Sequence, residues 1–154
     1  MAQRICLFPG TFDPITKGHT DIIDRALGLF DSLIIGIGIN SSKQPMFSLE
    51  QRIEWIERIY KNEPKIKVIA YEGLTIDCCK NNNAQFILRG IRYINDFEYE
   101  KAIAQMNLSI SGIETVFFMT DPAVAPISAT IVREIARNKG DISPFVSEVS
   151  ILNR

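Results

Sequence analysis

The sequence predicts an α/β fold, a doubly wound parallel sheet of about five strands with helices on both faces. Three observations predict it. Five short apolar runs recur along the chain, at Arg4–Phe8, Leu33–Ile39, Ile66–Ala70, Phe86–Leu88 and Thr115–Met119. Each is followed by a segment of helical character, so the chain repeats a βα unit, and such crossovers favour parallel pairing. The runs are apolar almost throughout rather than strictly alternating, as strands covered on both faces are.

The first run leads through Gly10-Thr11-Phe12-Asp13-Pro14-Ile15-Thr16-Lys17-Gly18-His19 into an amphipathic segment, Asp21–Phe30. There Ile22, Ile23, Ala26, Leu27 and Phe30 fall at helical spacing and should face the sheet. After the second run, Ser48 with Gln51 makes a capping-box pattern ahead of Ile53, Ile56 and Ile59, so a helix starts near Leu49. A third helix is expected over Leu74–Lys80, ended by Asn81-Asn82-Asn83, and a fourth over Phe97–Leu108, stopped before Gly112. Beyond the last strand, Pro122 and Pro126 hold the chain in a loop until Ser128-Ala129-Thr130 opens a helix over Ile131–Asn138, closed by Gly140. A short terminal helix is expected over Phe145–Leu152. No repeat, low-complexity tract or long linker interrupts the chain, so residues 1–154 are expected to form one domain.

Composition narrows the function classes. With 46% hydrophobic residues in 154, a substantial core is affordable in size alone. Seventeen basic residues stand against eighteen acidic ones, a net charge of −1, so neither nucleic acid nor an anionic membrane is expected as a partner. No apolar run approaches the ~20 residues that cross a bilayer, and Met1–Ile5 lacks the apolar core of a signal peptide, so the expected location is cytoplasmic. Cys6 and the adjacent Cys78 and Cys79 have neither disulfide-framework nor metal-ligand spacing and read as buried free thiols. With one histidine, no structural zinc site is expected.

The chemistry collects where open α/β sheets bind ligands, beyond the carboxyl ends of the strands. Gly10–His19, Ser41–Lys43, Gly73–Thr75, Arg89–Arg92 and Asp121–Thr130 all follow predicted strands. They bring Lys43, Arg89, Arg92 and His19 to one edge, with Ser128 and Thr130 at a second helix start. Helix N-termini present free N–H groups and a positive dipole end, so the edge suits a phosphate-rich ligand. Each element also has a plainer account. Arg89 and Arg92 have Asp96, Glu98 and Glu100 within reach for surface pairs worth ~1 kcal/mol or less, Ser128 is first a helix cap, and Asp13 before Pro14 reads as a turn residue. The concentration of these residues on one edge favours the functional account.

Four segments carry a family resemblance: Pro9–Pro14 with Thr16–His19; Ser42–Phe47; Arg89-Gly90-Ile91-Arg92 followed by Asp96–Glu100; and Ile127–Glu134. Together they resemble the nucleotidyltransferase superfamily with the Thr/His-x-Gly-His signature, and within it the bacterial phosphopantetheine adenylyltransferases. The first and last segments look like the superfamily at large, whereas the arginine block with its acidic, aromatic sequel points to the narrower family. The resemblance implies a Rossmann-like sheet and transfer of the adenylyl group of Mg-ATP to 4′-phosphopantetheine, giving dephospho-coenzyme A and pyrophosphate. It also implies a homohexamer and feedback binding of coenzyme A. Thr11, Lys43, Thr75 and Arg89 would then contact phosphopantetheine. Thr11, Phe12, His19, Gly90, Ile91, Arg92, Glu100 and the segment Val124, Ala125, Pro126, Ile127, Ser128, Ala129, Thr130 would contact ATP. His19 would stabilise the transition state, with Lys43 and Arg92 assisting, and Mg²⁺ would be held mostly by phosphates, with no protein ligand assigned.

The family commonly has an aromatic residue where Val124 stands and serines around Ala125, Pro126 and Ala129. Other transferases of the superfamily, acting on nicotinamide mononucleotide or glycerol phosphate, share the first segment but should lack the Arg89–Glu100 block in this form. A non-catalytic nucleotide-binding module of the same fold would have little need of His19.

Overall fold

The computed structural model of the protein describes residues 1–147. Five parallel strands, β1 (Ile5–Gly10), β2 (Ser32–Ile39), β3 (Ile66–Glu72), β4 (Phe86–Ile91) and β5 (Glu114–Met119), form one sheet in the order β3-β2-β1-β4-β5. They alternate with helices α1 (Lys17–Ala26), α2 (Leu49–Ile59), α3 (Thr75–Asn81), α4 (Ile94–Ser111) and α5 (Ala129–Arg137). The fold class is the doubly wound, Rossmann-like sheet that the alternation predicts.

Period-two alternation in the strands divides the core. Cys6 and Phe8 of β1, Leu33, Ile35 and Ile37 of β2 and Leu88 of β4 point to one face, where Ile22, Ile23 and Ala26 of α1 and Trp55 and Ile56 of α2 cover them. Leu7, Ile34 and Ile87 point to the other and pack with Ile76, Cys78 and Cys79 of α3. The three cysteines are free and buried within these layers. Val132 of α5 packs apart from both, against Ile142 and Val146.

Several boundaries move, each for a tertiary reason. Strand β1 continues through Pro9 and Gly10 because both still pair with β2, at Gly36 and Ile37. Strand β4 runs three residues past Leu88, paired with β5 as far as Ile91 and Met119, so Arg89, Gly90 and Ile91 are strand residues rather than loop residues. Helix α1 starts earlier than the apolar spacing suggests and ends at Ala26; Phe30 nevertheless stays in the core. The capping box of Ser48 and Gln51 opens α2, with the Gln51 N–H donating to Ser48 Oγ. Helix α4 is longer than predicted at both ends and closes on Gly112, whose φ of 71° is the left-handed conformation that glycine adopts at helix ends. Of the expected terminal helix, residues 145 and 146 are turn and bend, 147 has no regular structure, and the rest lies outside the described residues.

Strand order positions the site. The chain builds outward from β1 through β2 to β3, then crosses back to place β4 on the other side of β1. At that reversal, connections leave β1 and β4 in opposite directions and open a crevice at their carboxyl ends.

Candidate active site

A cleft of about 1410 Å³ occupies this reversal point. Thr11, Phe12, His19, Lys43, Thr75, Arg89, Gly90, Arg92, Glu100, Ile127, Ser128, Ala129 and Thr130 all line it. Val124, Ala125 and Pro126 do not. They form a turn in which the N–H groups of Val124 and Ala125 donate to Asp121 O, and the Val124 carbonyl sits beside Gly18 at the start of α1. Ile91 is buried at the end of β4 and borders a separate apolar hollow of about 700 Å³ with Phe97, Phe117 and Met119.

Two helix N-termini face the cleft. Gly18 and His19 in the first turn of α1 line it, as do Ser128, Ala129 and Thr130 where α5 begins. Ser128 is the N-cap by position, yet its side chain makes no capping bond, so the hydroxyl remains available to a ligand. In α1 the Lys17 N–H donates to Phe145 O and the His19 N–H to Thr16 O, so what both helix starts share toward an anion is the positive end of the helix dipole.

His19 is held in one protonation state. The Thr16 N–H donates to His19 Nδ1 at 2.9 Å, and Thr16 Oγ1 lies 3.1 Å from the same nitrogen. An Nδ1 that accepts puts the neutral ring's proton on Nε2. Burial, then the charges of Arg92 and Arg89, push the imidazole pKa down to about 4. At neutral pH the ring is therefore a fixed, uncharged hydrogen-bond donor. Its position is packed as well, with the Phe12 ring 5.0 Å away and Phe12 set edge-on against Phe8 at 5.4 Å. Gly10 allows that arrangement, since a Cβ there would meet Phe12 Cε2 at 3.0 Å. Phe12 itself takes a left-handed φ of 48°, a conformation uncommon for a bulky side chain and often stored at functional sites.

The cations of the cleft differ in how they are held. Arg89 Nε and Nη2 donate to the two Glu100 oxygens at 2.9 and 2.6 Å, and Nη1 donates to Pro9 O at 2.9 Å. This fork, joining β4 to α4 and to β1, is partly buried and fixes the guanidinium plane. The exposed pair suggested by the sequence is instead a bidentate link inside the cleft. Arg92 lies 3.6 Å from Asp96 at the start of α4 and is more open to water. Lys43 is exposed on the segment after β2, its backbone N–H donating to Asn40 O. Thr75 opens α3, with its hydroxyl 2.9 Å from the Tyr71 hydroxyl.

Sequence reasoning missed the residues that tie these segments together. Asp13 does sit in a turn, but its carboxylate accepts the N–H groups of Met46 and Phe47, more than thirty residues away. Arg52 of α2 donates to Thr11 O, and Arg133 of α5 donates to Asp13 O and Thr130 Oγ1. The available signal was charge inside a helix's apolar face: Arg52 lies one position from Ile53 and four from Ile56.

An anion-binding edge with a fixed neutral donor and three cations is suited to joining two phosphate-bearing molecules. Comparison with known proteins agrees. The family of cytidylyltransferase-like proteins matches residues 7–135. A phosphopantetheine adenylyltransferase of Flavobacterium psychrophilum is 54% identical over 146 residues, covering 95% of this chain and 97% of that protein. Those of Christiangramia forsetii and Bacteroides thetaiotaomicron are 52% and 49% identical, covering 96% and 98% of this chain and 97% and 100% of theirs. The chain thus belongs to the cytidylyltransferase-like family and, within it, to the phosphopantetheine adenylyltransferases.

Proposed function

We propose that the chain, residues 1–154 acting as one nucleotidyltransferase domain, transfers the adenylyl group of ATP to 4′-phosphopantetheine by direct in-line attack. The products are dephospho-coenzyme A and pyrophosphate, a step of coenzyme A biosynthesis. The observation that carries the reading is the neutral, Nε2-protonated His19 at the N-terminus of α1, flanked by Arg89 and Arg92. A phosphomonoester has a second pKa near ~6, so it arrives as an anionic nucleophile and requires neither a strong base nor a covalent intermediate. The protein's work is to bring two anions into line and to stabilise charge that grows on the α-phosphate and on departing pyrophosphate.

Thr11, Lys43, Thr75 and Arg89 hold phosphopantetheine in this reading, and Lys43 also offsets charge on the incoming phosphate. ATP is contacted by Thr11, Phe12, His19, Gly90, Arg92, Glu100 and Ile127 to Thr130, its triphosphate against the opening of α5. Mg²⁺ enters as Mg-ATP, carried on the substrate's phosphate oxygens. His19 Nε2–H donates to a non-bridging α-phosphate oxygen as charge develops there. Coenzyme A, which keeps the phosphopantetheine portion of the product, binds the same cleft as a feedback ligand.

A homohexamer is also proposed. No residue of α4 is buried, yet the helix exposes Ile94 (81%), Met106 (64%) and Ile110 (60%), with Tyr93 and Met119 nearby. An apolar helix in this condition suits an interface with other copies. Light scattering tests it, and a monomer at micromolar concentration overturns it.

The deciding experiment is pyrophosphate release with Mg-ATP, with and without 4′-phosphopantetheine, alongside CTP and nicotinamide mononucleotide controls. Release that needs ATP and phosphopantetheine together supports the assignment. Release with another pair changes the substrate, and none with any pair refutes the reaction.

A further inference from the structure

The geometry points to Asp13 and Arg52 as positioning residues for this reaction, a pair of buried charges that sets the distance between the Thr11 loop and the Lys43 segment. The inference rests on the role proposed for Lys43 above. Both residues are 4% exposed, and among the described residues the one other buried polar side chain is Thr16. They are not bonded to each other. Each donates or accepts across to the other's segment. Asp13 Oδ2 and Oδ1 accept the N–H groups of Met46 and Phe47 at 2.8 and 2.9 Å. Arg52 Nη1 donates to Thr11 O at 2.8 Å, while its Nε donates to Phe47 O and Ser48 O at 3.1 and 3.3 Å.

These links begin where the sheet stops. The β1–β2 ladder ends at Gly10 and Ile37, and beyond it no strand pairing relates the two chain segments. Backbone groups there need partners once covered, and side-chain ions supply them. Buried charges contribute little net stability on average compared with apolar replacements, so the effect of this pair lies in geometry. Lys43 stands three residues before Met46, which limits its Cα to within about 10 Å of the clamp. A further link reaches the opposite wall: Arg133 Nη1 donates to Asp13 O at 2.8 Å, and its Nη2 donates to Thr130 Oγ1 at 3.0 Å. Three segments that line the cleft therefore take their spacing from Asp13. In-line transfer depends on that spacing, and a misplacement of ~1 Å can lower turnover by ~10²-fold.

The test is a double-mutant cycle between Asp13→Asn and Lys43→Ala, read as kcat and KM for both substrates on protein whose circular dichroism and melting confirm folding. Asparagine turns an NH2 toward one of the two N–H groups, so one bond becomes donor facing donor. Asp13→Asn should lower kcat/KM for 4′-phosphopantetheine by about 10–100-fold in the wild-type background. In the Lys43→Ala background the same change should cost ~3-fold or less, because the residue it positions is gone. A purely structural Asp13 would cost the same factor in both backgrounds, and that result overturns the clamp while leaving the role of Lys43 standing. If Lys43→Ala alone costs nothing, the reading of Lys43 fails and the clamp fails with it. Should Asp13→Asn not fold, Arg52→Lys carries the same cycle, since an ammonium cannot reproduce the fork that spans Thr11 and Phe47.

Discussion

Replacing His19 by alanine isolates the donor on which the mechanism turns. The ring is fixed by the Thr16 N–H at 2.9 Å and by the Phe12 ring, so its Nε2–H requires no reorganisation when charge develops on the α-phosphate. A preorganised donor of this kind contributes about 3–4 kcal/mol to the transition state, which corresponds to roughly 10²–10³ in kcat. The ATP KM should move much less, because the bond strengthens mainly as the reaction proceeds. Steady-state pyrophosphate release, with ATP titrated against the folded variant, measures both. The pH profile adds an independent check. An imidazole with a pKa of about 4 stays neutral across the working range, so a limb near 6 should come from the phosphopantetheine phosphate and persist in His19→Ala. A loss expressed wholly in KM, or a limb near 6 that vanishes with the histidine, would refute the argument.

The same ring makes stability pH-dependent, with a definite sign. Unfolded, it titrates near 6.5, and folded near 4, so between those values the unfolded chain holds more protons and stability falls as pH drops. From pH 7.5 to 5 this amounts to about 2 kcal/mol, and urea unfolding should show wild type losing that much more than His19→Ala. Lys43→Ala should raise the KM for phosphopantetheine well above its effect on ATP binding; titration calorimetry in which ATP affinity alone collapsed would move Lys43 to the nucleotide. Ser128→Ala removes a cap residue whose hydroxyl makes no capping bond, so it should cost less than the usual ~1 kcal/mol of a lost cap while raising the KM for ATP. A melting point lower by several degrees with unchanged ATP kinetics would contradict that.

Much of the site was legible because its parts are local. Gly10–His19 lies between a strand and a helix, so the histidine falls at the helix start whichever residue opens it. Ser48 with Gln51 announced α2 for the same reason: a capping box involves residues three apart. What sequence reasoning missed depends on partners far along the chain. Asp13 looked like a turn residue because its acceptors' partners, Met46 and Phe47, are reached only when β1 and β2 lie side by side. Arg89 looked like a loop cation with several acidic neighbours. Pairing with β5 extends the strand through it and sends its side chain toward Glu100.

The sequence by itself determined the βα alternation, the parallel sheet it requires, the start of α2, and the set of residues that fall beyond strand ends. These are consequences of short-range periodicity and capping, which neighbouring residues encode. Only the tertiary structure decided the order β3-β2-β1-β4-β5, the proton on Nε2 of His19, the Arg89–Glu100 fork, and the separation of Ile91 and Val124–Pro126 from the cleft's lining. Each of these is set by which segments meet after the chain crosses from β3 back to β4, and hydrogen bonding and desolvation act on that proximity rather than on distance along the sequence.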